Sequence, residues 1–166
     1  MSFFTADRDL NNLSAAMRPR VVKFLDFCEQ KKLKVKVSEG FRTKARQLYL
    51  WSLGRYIDKA LELRYLGIDH PDIYSRPKAL KLTWTLESKH LDGMAIDIFF
   101  DKKGDIYNGP WNEVYDIAES CGLLSLYRTK GIDKPHLEFD PNFKIKREKP
   151  NKRLLLEARR LRLRNK

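Results

Sequence analysis

The chain has 166 residues, enough for one domain with a real hydrophobic core and no need of disulfides or a structural metal as its only staple. Its 42% hydrophobic and 11% aromatic content is that of a globular protein, and no apolar run approaches the roughly 20 residues of a membrane span. The formal charge of +12 invites a nucleic-acid partner, yet residues 144–166 alone carry +9 (eleven Lys and Arg against Glu148 and Glu157); residues 1–143 are left at only +3, and no nucleic-acid partner is expected.

The opening "MSFFTADRDLNN" has no basic stretch followed by an apolar one, so the expectation is synthesis in the cytoplasm without a secretion signal. In "LSAAMRPRVVKFLDFCEQKK", Leu13, Met17, Val21, Phe24, Leu25 and Cys28 recur at steps of three and four, which predicts a helix with one face in the core; Pro19 is suited to open its second part. "LKVKVSEG" alternates Leu33, Val35 and Val37 with lysines, a strand with one buried face that ends at Gly40. "TKARQLYLWSLG" predicts a helix stopping at Gly54, and "RYIDKALELRYLG" a second one ending at Gly67. "IDHPDIYSRPKALK" has the composition of a surface loop, and its His70 has no partner at ligand spacing.

"LTWTLE" and "MAIDIFF" are strand-like and flank a turn at Asp92 and Gly93. "DKKGDIYNGP" is a turn-rich connection, and "WNEVYDIAESCG" a helix with Pro110 at its mouth and Gly122 past its end. "LLSLY" and "HLEF" close as two short strands. Helices mostly precede short, turn-linked strands, so the expected class is α+β with a small antiparallel sheet and flanking helices. Cys28 and Cys121 both fall inside helical patterns and are expected to be buried thiols; Trp84 and Trp111 are expected in the core.

One residue breaks the apolar pattern. On "MAIDIFF", alternation groups Ala95, Asp97 and Phe99 on one face and Ile96, Ile98 and Phe100 on the other, so a carboxylate shares a buried strand. An unpaired charge there costs several kcal/mol, and Asp97 therefore requires a cation, a set of donors or a metal ion. His90 lies across the glycine turn and can share that ion, and His136 in "DKPHLEF" opens a strand, with Asp133 three residues earlier in reach of a water at the same ion. A buried ion pair between Asp97 and one of the many Arg or Lys side chains is the alternative for this stretch. Two imidazoles and one carboxylate with an open fourth position form a catalytic zinc arrangement, whereas a structural site would close its shell with cysteines.

The segments "SEGFRTKARQLYLWSLGR", "SKHLDGMAID" and "DKPH" together resemble the motifs of the zinc D-alanyl-D-alanine carboxypeptidase family, which includes VanY-like enzymes and phage endolysins that cut the L-alanyl-D-glutamate bond, on the hedgehog/DD-peptidase fold. The resemblance runs from about Leu13 to Phe139 in the family's order. It implies His90, Asp97 and His136 as Zn2+ ligands, Asp133 as the catalytic acid/base, and Arg42 as the residue holding the substrate carbonyl. A salt bridge with Glu39 is the plainer role for Arg42. Ser88 is a candidate for substrate binding or, equally, a turn-forming hydroxyl, and Glu138 is expected to be a solvated strand residue rather than a partner of His136. The chain departs from the family pattern at "CGLLSLY", where tryptophans are usual, at Leu137, and at residues 56–82, which look like an insertion; these bear on substrate choice and affinity.

The organisation expected from all this is a single zinc peptidase domain over residues 1–143 and a basic tail over 144–166, suited to anionic wall polymers or a lipid surface. The function implied is hydrolysis of an amide bond in the peptidoglycan stem, as an L-alanyl-D-glutamate endopeptidase of a phage or prophage, acting on the wall after release, as a monomer. A D,D-carboxypeptidase or dipeptidase of the same zinc chemistry, and a wall-binding module that has lost catalysis, are the alternatives.

Overall fold

The computed structural model describes residues 5–53 and 82–142. The helix expected over 55–67, His70, the 56–82 segment apart from Leu82, and the basic tail lie outside the described residues.

Four strands and four helices are found among the described residues. Helix α1 (Arg18–Gln30) is followed by β1 (Val35–Glu39) and α2 (Lys44–Ser52); then come β2 (Ala95–Phe100), α3 (Trp111–Ser120), β3 (Leu124–Ser125), α4 (Leu126–Lys130) and β4 (His136–Glu138). The strands form one antiparallel sheet in the order β1-β2-β4-β3, the α+β architecture with a small antiparallel sheet that the sequence predicts. Among the described residues, no helix is long and apolar enough to cross a membrane.

The two faces of the sheet have different tasks. Ile96, Ile98, Phe100 and Leu137 point to the core, where Met17, Val21, Phe24 and Cys28 of α1 and its lead-in meet Val114, Tyr115, Ile117 and Ala118 of α3. Helix α1 starts at Arg18 rather than at Leu13: Pro19 occupies its first turn, and the chain before it is tied elsewhere, with the Ser14 N–H donating to the Gly93 carbonyl. Cys28 and Cys121 are buried free thiols, as expected, and burial pushes the Cys28 thiol up to about 12, helped by the nearby Cys121 and Glu113. Trp111 packs edge-on to Phe100 at 4.9 Å and stacks on Tyr115 at 5.7 Å.

Three local expectations are corrected. "LTWTLE" is not a strand. Its Thr83 hydroxyl and Thr85 carbonyl accept from the buried Gln47 amide, at 3.3 and 2.7 Å, instead of joining the sheet, and Trp84 points outward, 78% exposed rather than in the core. "LLSLY" pairs with β4 only at Leu124 and Ser125, because the Ser125 hydroxyl accepts from the Arg128 N–H and starts α4.

Candidate metal centre

Asp97, His136 and Glu138 project from the face of the sheet opposite the core. Register makes this so: Asp97 pairs directly with His136, and Ala95 with Glu138, while Ile96 and Leu137 between them face inward. His90 arrives from a separate 3-10 turn over Lys89–Asp92. The Ser88 hydroxyl caps that turn by accepting from the His90 N–H, so Ser88 has the turn-forming role. Gly93 ends the turn at φ +63°, and a Cβ there would lie 2.8 Å from the Ser14 nitrogen; the position needs glycine for conformation and for space.

His90, Asp97 and His136 offer one ligand atom each within 4.8 Å of one another. The imidazole rings of His90 and His136 stand 5.1 Å apart in an edge-to-face arrangement. His90 is 1% exposed, and its Nδ1 donates to the Gly40 carbonyl at 2.5 Å. In the neutral ring that bond fixes the tautomer and leaves Nε2 as a lone pair, 3.3 Å from Asp97 Oδ2 and without a hydrogen-bond partner among the described residues. A buried nitrogen aimed at a carboxylate with no proton to share is the observation that fits a metal ion: Nε2 would be satisfied by ligation.

His136 lies between two carboxylates, Nδ1 3.1 Å from Asp97 Oδ1 and Nε2 3.2 Å from Glu138 Oε2. Glu138 is therefore not the solvated strand residue expected from the sequence; its register beside His136 makes it the carboxylate that orients the ring. Burial lowers the pKa of His136, but the two carboxylates outweigh it and raise the group to about 9. Burial likewise pushes Asp97 up, and His90 and His136 together hold it well below the usual carboxylate range.

Arg42 reaches the same place. Its Nη2 donates to Asp97 Oδ2 at 2.7 Å, its Nε to Glu39 Oε2 at 2.8 Å, its Nη1 to Gln47 Oε1 at 3.3 Å, and its backbone N–H to the His90 carbonyl at 3.0 Å. The salt bridge with Glu39 and a place beside the ligand set thus both belong to Arg42. Asp133, the residue of "DKPH" that precedes His136 by three, adopts φ +56°, and its backbone carbonyl accepts from the His136 N–H at 3.2 Å. Asp133 is an exposed residue whose carboxyl is partly desolvated; that desolvation first, then the charge of Asp97, raises its pKa, while His136, Arg42 and His90 pull the other way. Tyr115, buried on α3, donates from its hydroxyl to the Lys134 carbonyl at 3.0 Å and ties this loop to the core.

The structure thus brings the side chains of His90, Asp97, His136 and Arg42 together, joins Asp133 to His136 through its backbone carbonyl, and places Ser88 as the cap of the His90 turn. It adds Glu39, Gln47, Glu138 and the Gly40 carbonyl.

No family model matches the chain, and no curated protein does. Solved structures are similar to it at low identity. The Serratia marcescens L-Ala D-Glu endopeptidase ChiX is 21% identical over 79% of this chain and 83% of that one, with a TM-score of 0.43. VanYB in complex with D-alanine-D-alanine is 17% identical over 76% of this chain and 71% of its own, with a TM-score of 0.48. An L,D-carboxypeptidase, DacB, from Streptococcus pneumonia is 17% identical over 77% and 66%, with a TM-score of 0.45.

Proposed function

We propose that the protein is a zinc-dependent peptidase that hydrolyses the L-alanyl-D-glutamate bond of the peptidoglycan stem, as an endolysin of a phage or prophage. The observation that carries the reading is the donor set of His90, Asp97 and His136, in which Nε2 of His90 has no hydrogen-bond partner among the described residues. The motif resemblance over "SEGFRT", "SKHLDGMAID" and "DKPH" supports the choice of substrate class.

His90, Asp97 and His136 would hold the ion, and a bound Zn2+ would supply Lewis acidity and bring the pKa of water from about 15.7 towards 7. The chain's own groups divide the remaining tasks. Asp133, with a pKa raised above the ordinary carboxylate value, takes the proton of the attacking water and returns it to the leaving amine. Arg42, permanently charged and held by Glu39 and Gln47, meets the negative charge that develops on the scissile carbonyl oxygen. Glu138 and the Gly40 carbonyl keep the imidazoles of His136 and His90 at their angles.

The test is metal content by elemental analysis, with turbidity clearing of purified cell wall with and without a chelator and mass spectrometry of the new termini. One zinc per chain, chelator-sensitive clearing and new D-glutamate amino termini are expected. Release of free D-alanine with no new glutamate amine would move the assignment to a D,D-carboxypeptidase, and clearing that survives complete metal removal would end the zinc reading.

A further inference from the structure

Glu39 is 6% exposed and lies on the face of the sheet that carries Asp97. Regular alternation would put it elsewhere. Val35 opposite Phe100 and Val37 opposite Ile98 face the core, and period two would send Glu39 the same way. A bulge between Val37 and Glu39 adds one residue to β1, sets Glu39 opposite Asp97 and turns its side chain onto the site face. There Oε2 accepts from Arg42 Nε at 2.8 Å and lies 2.7 Å from Arg42 Nη2, while Oε1 accepts from Arg46 Nε at 2.8 Å.

We propose that Glu39 is a positioning residue, a carboxylate that the β1 bulge carries to the site so that it clamps Arg42 and aims the guanidinium at the reacting carbonyl. A lone counter-ion for two arginines could sit at a solvated edge, whereas a buried carboxylate is tolerated only where its oxygens are fully used. Here both are, and contacts at Nε and Nη2 fix the plane of the guanidinium as one contact could not. With the charge of Glu39 removed, Asp97, already 2.7 Å from Nη2, is the carboxylate left to Arg42 among the described residues, and the plane of the guanidinium loses its second anchor. The inference rests on the peptidase reading for the step it assists, and on the bulge and the clamp for its geometry.

A double-mutant cycle tests it with a soluble stem peptide as substrate. Glu39→Gln is expected to lower kcat about 10- to 100-fold with KM changed by less than about threefold, and to change kcat by less than about threefold in an Arg42→Ala background. Equal losses in both backgrounds, or no loss in either, overturn the proposal. Should Glu39→Gln fail to fold, Glu39→Asp, which keeps the charge and shortens the reach by one methylene, carries the same cycle with the same expected outcome. The clamp is also read without turnover. The Nε–H of Arg42 is expected as a slowly exchanging signal in a 15N-edited spectrum, lost in Glu39→Gln; persistence of that signal overturns the proposal. A metal-loaded parent protein that cleaves no wall peptide would count against the peptidase reading alone, and the Arg42 signal would still decide for or against Glu39.

Discussion

Acidification from pH 9 towards 6 is expected to weaken zinc binding while it strengthens the metal-free fold. His136 is held by Asp97 and Glu138, whose bonds overcome the effect of burial and raise its pKa to about 9. A metal ion ligated through this ring has to displace a proton at any lower pH, so the apparent dissociation constant should rise about tenfold per pH unit. From pH 8 to pH 6 the loss is about 100-fold, or about 2.7 kcal/mol. Asp97, held far below the ordinary carboxylate range, stays ionised throughout and adds nothing to that slope. The metal-free fold behaves otherwise. The His136 pKa is raised above its unfolded value of 6.5, so its stabilisation is complete below about pH 6.5 and is lost as pH climbs through about 9, a change of roughly 3 kcal/mol. Zinc titration against a chromophoric chelator at pH 6, 7 and 8, beside urea unfolding of the metal-stripped protein from pH 6 to 10, measures both. An apparent zinc affinity that is flat over that range once the chelator's own protonation is removed would refute the reasoning, as would a metal-stripped fold that gains stability from pH 7 to 10.

Replacing Asp133 by Ala is expected to lower kcat about 10²- to 10⁴-fold with zinc content unchanged, because in the proposed mechanism the residue moves a proton and holds no metal; a variant as fast as the parent in wall clearing would remove it from the chemistry. Asp97→Asn should abolish zinc binding and destabilise the fold by about 3 kcal/mol in urea, since it leaves the Arg42 guanidinium and the protonated His136 without their shared carboxylate. Tyr115→Phe deletes a single hydrogen bond to the Lys134 carbonyl; about 1 kcal/mol of stability and a fall in kcat with zinc affinity intact are expected from the looser Asp133 loop. Gly93→Ala puts a methyl 2.8 Å from the Ser14 nitrogen at φ +63° and should cost about 2 kcal/mol or more, read as a lower urea midpoint.

Much of the ligand set was legible because burial makes a charge conspicuous. Asp97 stands out from "MAIDIFF" since every neighbour is apolar, and His90 and His136 are two of the chain's three histidines. Residue order alone misjudged Glu138, since the pairing of β2 with β4, invisible along the chain, is what sets it beside the His136 ring. Glu39 is legible as a salt-bridge partner of Arg42, but its place on the site face is not. Period-two alternation assigns it to the core face with Val35 and Val37, and a bulge is a local change of register that no alternation count contains. Trp84 failed for another reason: an aromatic β-like pattern says nothing when the backbone's partner is the Gln47 side chain and not a strand.

The charges around the site explain why one face of a small sheet tolerates so many ions. Asp97, Glu39, Glu138 and Asp133 are its carboxylates, and among the described residues Arg42, Arg46, the protonated His136 and, near Glu138, Lys89 and Lys130 are cations that offset them. Exchange of the His136 proton for a divalent ion would add a net single positive charge to this set. A guanidinium pinned by Glu39 is held back from closing fully on Asp97, which would leave the carboxylate its second oxygen for a ligand. On the proposed function, the bulge that delivers Glu39 would join two properties that simple strand geometry would separate, an arginine placed to act on the substrate and a carboxylate still able to bind a metal ion.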